Sequence, residues 1–296
     1  MHAKPTGKYQ TKKPRRSALP LVLLALLVAG GVALIRNADR SRREADEWTA
    51  PNTYGTPAAS PSGAEAALDT DTETALETAA ESNSSVRKIL EQREKYPTSL
   101  LQLLSRNAET LDFVSGYPKH KNDAPAKTVG RVKKGEIPLL LQWDERWGYT
   151  IYGSDFLAVT GCGPTCISMV AVGLTGDNTV TPRVVADYAE ENGYYAAGAG
   201  STWTLMTEGC TEFGLASREL PLDEATIKQE LEAGHPIVCS MLPGDFTTAG
   251  HFLVLTGVED GKFRLNDPNS ELRSEQLWDY DTLSTQIGNL WAFWAE

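Results

Sequence analysis

Apolar and polar positions are distributed along the 296-residue chain in three regimes. The first is a continuous run. Ala18 to Ile35, within SALPLVLLALLVAGGVALI, is 18 residues without a charge, about 27 Å of helix and enough to cross a bilayer. The second is nearly free of large apolar residues. Residues 36–83, ending in YGTPAASPSGAEAALDTDTETALETAAESN, cannot bury enough surface to offset chain entropy and are expected to form a disordered stalk. The third regime is periodic. In SSVRKILEQREKYPTSLLQLLSRNAETLDFV, apolar Val86, Ile89 and Leu90, then Leu100, Leu101, Leu103 and Leu104, predict two short helices, with Pro97 suited to the first turn of the second. These helices need a surface to pack on: either the following domain or a small module of their own. Residues 84–129 are read as this helical segment and a linker, and 130–296 as the main domain.

Within the main domain, an extended piece EIPLLLQ and an irregular stretch with Trp143 and Trp147 lead to a helix from Gly163 to about Leu174. Further helices are expected over TPRVVADYAEENG, TWTLMTEGCTEFG and DEATIKQELEAG. The period then changes to two. HPIVCSML, HFLVLTGV, KFRLND and NLWAFWA read as strands separated by PGD, EDG and DPNS turns. Helices first and antiparallel strands later, without βαβ alternation, predict an α+β domain.

Charge adds orientation and excludes one class of partner. Lys4, Lys8, Lys12, Lys13, Arg15 and Arg16 precede the apolar run; Arg36, Arg40, Arg42 and Arg43 follow it, diluted by Asp39, Glu44, Asp46 and Glu47. The basic excess predicts that residues 1–17 are a cytoplasmic tail, that 18–35 are a single-pass membrane anchor, and that the rest lies outside the cytoplasm. A cleaved signal peptide is the competing reading, but RNADRSRRE offers no small-residue cleavage site, so an uncleaved signal anchor is expected. The net charge of −11 divides into +3 over residues 1–130 and −14 over 131–296. Such an acidic domain repels phosphate backbones, so nucleic acid is not an expected partner. The composition leaves the oligomeric state open.

TGCGPTCISMV is the stretch that suggests chemistry. Glycines flank Cys162 and Pro164 pre-sets a first helical turn, so the sulfur belongs at a helix N-terminus. Unpaired N–H groups and the helix dipole favour the anionic sulfur there, and the same N–H groups can donate to an oxyanion. A cysteine nucleophile needs a base, and the chain has four histidines. His2 lies in the tail, His120 in a polar linker and His235 before a proline, which leaves His251 at the start of an apolar strand. The returning hairpin brings Asp267 towards the same end, where an acid can orient the imidazole. A two-residue turn at Asp260 and Gly261 would leave Asp267 about three residues out of register with His251, so a bulge or asymmetric loop is required. Asn266 is the alternative orienting group, and Asp267 could simply be a turn-maker. Cys166, one turn beyond Cys162, reads as core. Cys210 and Cys239 are either buried thiols or a bridged pair. Cys162, Cys166 and His251 match no familiar metal-ligand spacing, so no metal is expected, and no cofactor is indicated.

Taken in order, LLQWDERW, GCGPTCISMV, GHFLVLTGV and DGKFRLNDPNS resemble the papain-like cysteine peptidases related to the bacteriocin-processing, double-glycine leader peptidases, in particular their stand-alone bacterial relatives. The resemblance covers about Pro138 to Glu296. It implies a papain-like fold, with Cys162 as nucleophile, His251 as general base and acid, Asp267 as orienting residue and Gln142 as a side-chain donor to the oxyanion. In the leader peptidases that glutamine stands a few residues before the cysteine, whereas here 19 residues intervene. No Walker motif occurs in the chain, as a peptidase fused to an export transporter would require. Trp203, after a glycine-rich loop, and Gly161 and Gly250 beside the reactive pair are expected to meet the substrate. The expected activity is hydrolysis of a peptide bond in a peptide or protein through a thioester acyl-enzyme. The same triad could serve a cell-wall peptide amidase or an acyltransferase, or the body could bind peptides without cutting them.

Overall fold

The computed structural model describes residues 68–296. The basic tail, the expected membrane anchor and most of the expected stalk lie outside the described residues. Among the described residues, no helix is long and apolar enough to cross a membrane.

The helical segment is longer than its apolar spacing predicts. It comprises α1 (Thr70–Ser82), α2 (Ser84–Glu91), α3 (Thr98–Arg106) and α4 (Leu111–His120). Helix α1 falls in the stretch read as the end of the stalk. Asp69 caps it by accepting from Thr72 N at 2.8 Å, and its buried side is made of Thr72, Leu76, Ala79 and Ala80. Alanine has the highest helix propensity and lets a neighbouring helix approach closely, so a face with one leucine suffices. His120 ends α4 rather than lying in a linker, and its Nδ1 stands 2.8 Å from Asp123 Oδ2.

The rest of the chain runs through β1 (Ile151–Tyr152), β2 (Asp155–Phe156), α5 (Leu157–Thr160), α6 (Cys162–Thr175), α7 (Pro182–Glu191), β3 (Tyr195–Ala196), β4 (Gly200–Ser201) and α8 (Thr204–Thr207). It continues with β5 (Leu215–Glu219), α9 (Glu224–Glu232), β6 (Ile237–Met241), β7 (His251–Glu259), β8 (Lys262–Asn266), α10 (Glu271–Ser274), β9 (Leu277–Trp278), α11 (Tyr280–Ser284) and β10 (Ile287–Ala295). Six strands form an antiparallel sheet in the order β5-β10-β6-β7-β8-β9, while β1-β2 and β3-β4 are separate hairpins. The α+β class expected from the pattern is the one observed.

Strand alternation divides two cores. Val238, Phe252, Val254, Trp291 and Phe293 face the layer built around α6. Ile237, Cys239, Leu253, Leu255 and Ala292 face the opposite side, with Ile227 and Leu231 of α9. Helix α6 is buried from Gly163 to Gly173, which explains why its sequence is apolar all round rather than striped. Each large apolar side chain so buried contributes about 1.5–3 kcal/mol. Cys210 belongs to the first core and Cys239 to the second, so the sheet separates them and the possible bridge does not form; all four cysteines are free. Cys166 is core, as expected.

Two further readings differ in detail. The helix expected over TWTLMTEGCTEFG breaks at Glu208 into α8 and a 3-10 turn, Gly209–Phe213, which ends at left-handed Gly214. The chain then enters β5, an edge strand with little alternation to betray it. EIPLLLQ joins no sheet. It is tied instead to the end of β8, where Asn266 Nδ2 donates to Ile137 O at 3.1 Å and Gln142 N donates to Pro268 O at 2.7 Å.

Candidate active site

Cys162 is the first residue of α6, with Gly161 as N-cap. The flanking glycines answer to packing. A Cβ at Gly161 would collide with the carbonyl and side chain of Leu157, and one at Gly163 with Ser201. Gly161 is buried, so its small size serves the α5–α6 junction. Pro164 supplies no N–H, which costs nothing in the first turn, where N–H groups have no partner within their own helix. Cys162 is half-buried, whereas Cys166 and Cys239 are fully buried, and desolvation pushes both of those thiols well above the ordinary value.

His251 opens β7 opposite Met241 of β6. Its Nε2 stands 2.7 Å from Asp267 Oδ1, and Cys162 is within hydrogen-bonding reach of the ring, which leaves Nδ1 for the sulfur. Burial disfavours the imidazolium. The Asp267 carboxylate and then the Cys162 sulfur more than offset this, and His251 is raised from 6.5 to about 9. Asp267 has no exposed surface. Burial alone would raise it, but Arg273 and His251 hold it well below the usual carboxylate range. Its Oδ1 also accepts from Asn269 N at 2.8 Å, and its Oδ2 accepts from Arg273 Nε at 2.6 Å. A carboxylate so furnished with donors stays ionised and fixes the ring it faces.

The register problem is resolved by the strand itself. Asp260 and Gly261 both have positive φ, as a two-residue turn requires, and Glu259 pairs with Lys262. Between Leu255 and Gly257 the pairing shifts by one residue. Continued regularly, the register would set His251 opposite Ser270; the bulge moves Asn269 to that place. A tight turn, in which Ser270 N donates to Asp267 O at 3.2 Å, covers the remaining offset. Asn266 points elsewhere, to Ile137 O.

Gln142 is 2% exposed and lodged between two parts of the site. Its Nε2 donates to Ala158 O at 2.8 Å, just ahead of Cys162, while its backbone N–H donates to Pro268 O, just after Asp267. The long spacer therefore costs no proximity: it is the β1-β2 hairpin and α5, which fold back. Gln142 Oε1 is buried without a protein partner. Behind the cysteine, Tyr152 donates to or accepts from Ser201 Oγ at 2.8 Å, a wall the sequence did not announce. Burial, and to a lesser extent Cys162, pushes the Tyr152 phenol up. Trp203 is 52% exposed, packs edge-on against Trp291 and donates from Nε1 to Ser240 Oγ at 3.2 Å. Ser240 pairs with Phe252, the residue after His251. A side chain at Gly250 would meet open space. His235 stands apart, with Nδ1 2.8 Å from Glu230 Oε2.

Two further site residues were not foreseen. Arg273 bonds Asp267 from α10, six residues on and just past the DPNS turn. Glu109 reaches the same segment from the helical part of the chain. Neither has a local motif.

The model of the Peptidase_C39 like family matches residues 134–295. Among solved structures, the peptidase domain of Streptococcus ComA, a bi-functional ABC transporter involved in a quorum sensing pathway, is similar at 16% identity, covering 54% of this chain and 97% of that one, with a TM-score of 0.38. A C39-like peptidase from Bacillus anthracis is similar at 14% identity, covering 56% and 98%, with a TM-score of 0.33. No curated protein matches the chain.

Proposed function

The chain belongs to the Peptidase_C39 like family, and we propose that it is a cysteine peptidase in which Cys162, His251 and Asp267 hydrolyse a peptide bond through a thioester acyl-enzyme. The observation that carries this reading is the buried His251–Asp267 pair at 2.7 Å with the Cys162 sulfur against the same ring. With its proton already carried on the His251 ring, the sulfur attacks the scissile carbonyl carbon. The oxyanion is met by first-turn N–H groups of α6 and by Gln142 Nε2, which turns from Ala158 O. His251 then protonates the leaving amine and, in the second half, takes a proton from the water that hydrolyses the thioester. Asp267 keeps the ring cationic between these steps, and Arg273 keeps Asp267 ionised. Trp203 and the unfilled space at Gly250 would border the peptide.

The apolar run at 18–35 and its basic N-terminal flank support a membrane-anchored protein acting outside the cytoplasm. Incubating the purified full chain with a peptide library and reading products by mass spectrometry tests the activity. Cleavage by the wild type and none by Cys162→Ala is expected. Equal cleavage by both, or by neither, would sink the proposal, and products released only from purified peptidoglycan would redirect it to a cell-wall amidase.

A further inference from the structure

The turn that carries Asp267 is held from outside the family-matched residues 134–295. Glu109 lies in a 3-10 turn, Ala108–Thr110, between α3 and α4. Its Oε1 accepts from Ser270 Oγ at 2.5 Å; its Oε2 accepts from Glu271 N at 2.7 Å and Leu272 N at 3.1 Å. These are the donors that open α10, whose third residue is Arg273. Ser270 Oγ in turn accepts from Arg273 N at 3.1 Å, and Arg273 Nε binds Asp267. Beside this, Asn107 Nδ2 donates to Asn269 O at 2.7 Å and Asn107 Oδ1 accepts from Glu109 N at 3.0 Å, so one asparagine both docks on the turn and fixes the glutamate.

We infer that Glu109 is a positioning residue for the site: by capping the Ser270–Arg273 turn it sets the Arg273 guanidinium against Asp267, and through Asp267 the His251 ring against Cys162. This rests on the peptidase reading above. The charges alternate along the path, with Glu109 and Asp267 negative and Arg273 and the imidazolium positive, so each carboxylate faces a cation. Glu109 stands near enough to Arg273 to be lowered by it, although burial dominates and raises Glu109 overall. The helical segment is thereby part of the catalytic body: it braces the orienting carboxylate from behind, through bonds spanning 161 to 163 positions of sequence.

The test uses the full chain with Glu109→Ala, Glu109→Gln and Ser99→Ala. Ser99 Oγ donates to Asp155 Oδ1 at 2.8 Å, so its removal loosens the same helical segment without touching the turn. Among the groups facing His251 are Asp267, just past β8, and Cys162 of α6, with Arg273 of α10 behind Asp267; none of these is altered directly. Glu109→Ala is expected to lower kcat about tenfold at unchanged KM and to shift the His251 titration, followed by NMR, towards acid pH. Glu109→Gln, which can still accept from the backbone and donate to Ser270 Oγ, should recover most of kcat. Ser99→Ala should change neither. If Glu109→Ala does not fold, Glu109→Asp, one methylene short, carries the same expectation. Wild-type kcat and an unmoved His251 titration in Glu109→Ala, with Cys162→Ala inactive, would overturn this inference alone. Cleavage surviving in Cys162→Ala would instead remove the peptidase reading beneath it, while the His251 titration would still report on Glu109.

Discussion

Replacing Asp267 by Asn removes the charge that keeps His251 cationic and leaves the shape of the site nearly unchanged. In the wild type the ring is raised from 6.5 to about 9. At about 1.4 kcal/mol per unit, this rise is worth about 3 kcal/mol. The sign follows from linkage. A histidine whose folded pKa lies above its unfolded one stabilises fully below 6.5 and loses that contribution as pH rises through about 9. Asp267 is depressed, so its contribution is present above the ordinary carboxylate value of 3.8 and is lost as pH falls through its lower folded value. The two describe one interaction and are not added. Urea unfolding of the wild type should therefore show stability falling by about 3 kcal/mol between pH 6.5 and 9, relative to Asp267→Asn, in which Cys162 alone still opposes burial. The alkaline limb of kcat/KM should fall near pH 9 in the wild type and about two units lower or more in the variant. Since Arg273 loses the carboxylate its Nε bonds, Asp267→Asn with Arg273→Met serves as the comparison should the single variant unfold. A His251 titration unmoved by Asp267→Asn would refute the reasoning.

Other outcomes follow from the same contacts. Gly163→Ala would press a methyl on Ser201, whose hydroxyl is tied to Tyr152, and should cost about 1–3 kcal/mol in chemical denaturation together with a loss of kcat; a change within about 0.5 kcal/mol would contradict the packing account. Gln142→Ala should lower kcat by about 100- to 1000-fold with KM little changed, as for loss of one oxyanion donor; a kcat within about twofold of wild type would remove Gln142 from the mechanism.

How far the sequence reaches can be seen residue by residue. The place of Cys162 at a helix start was legible because glycine, proline and an apolar run define a buried helix and its start locally. His251 was legible because β7 is patterned strongly enough to set its first residue. The bulge was required by counting from the Asp260–Gly261 turn, and it falls beside Gly257, a residue type that often marks such irregularities within a strand. Helix α1 was missed because alanine-rich helices lack the large apolar residues that periodicity detects. Strand β5 was missed because edge strands need no clean alternation. Arg273 and Glu109 were invisible for a different reason. Their partners are chosen by tertiary proximity between polar groups, Glu109 and Ser270 being 161 positions apart, and no local pattern encodes that. Cys210 and Cys239 show the same limit, since their separation by the sheet depends on which face each element presents.

The most direct measurement of the central claim is intact-mass and peptide-mapping analysis of the full chain after reaction with a peptidyl thiol-directed probe. One adduct on Cys162, lost in Cys162→Ala and strongly slowed in His251→Ala, is the predicted result. An adduct on Cys166, Cys210 or Cys239 instead, or labelling of Cys162 at the same rate without His251, would contradict it.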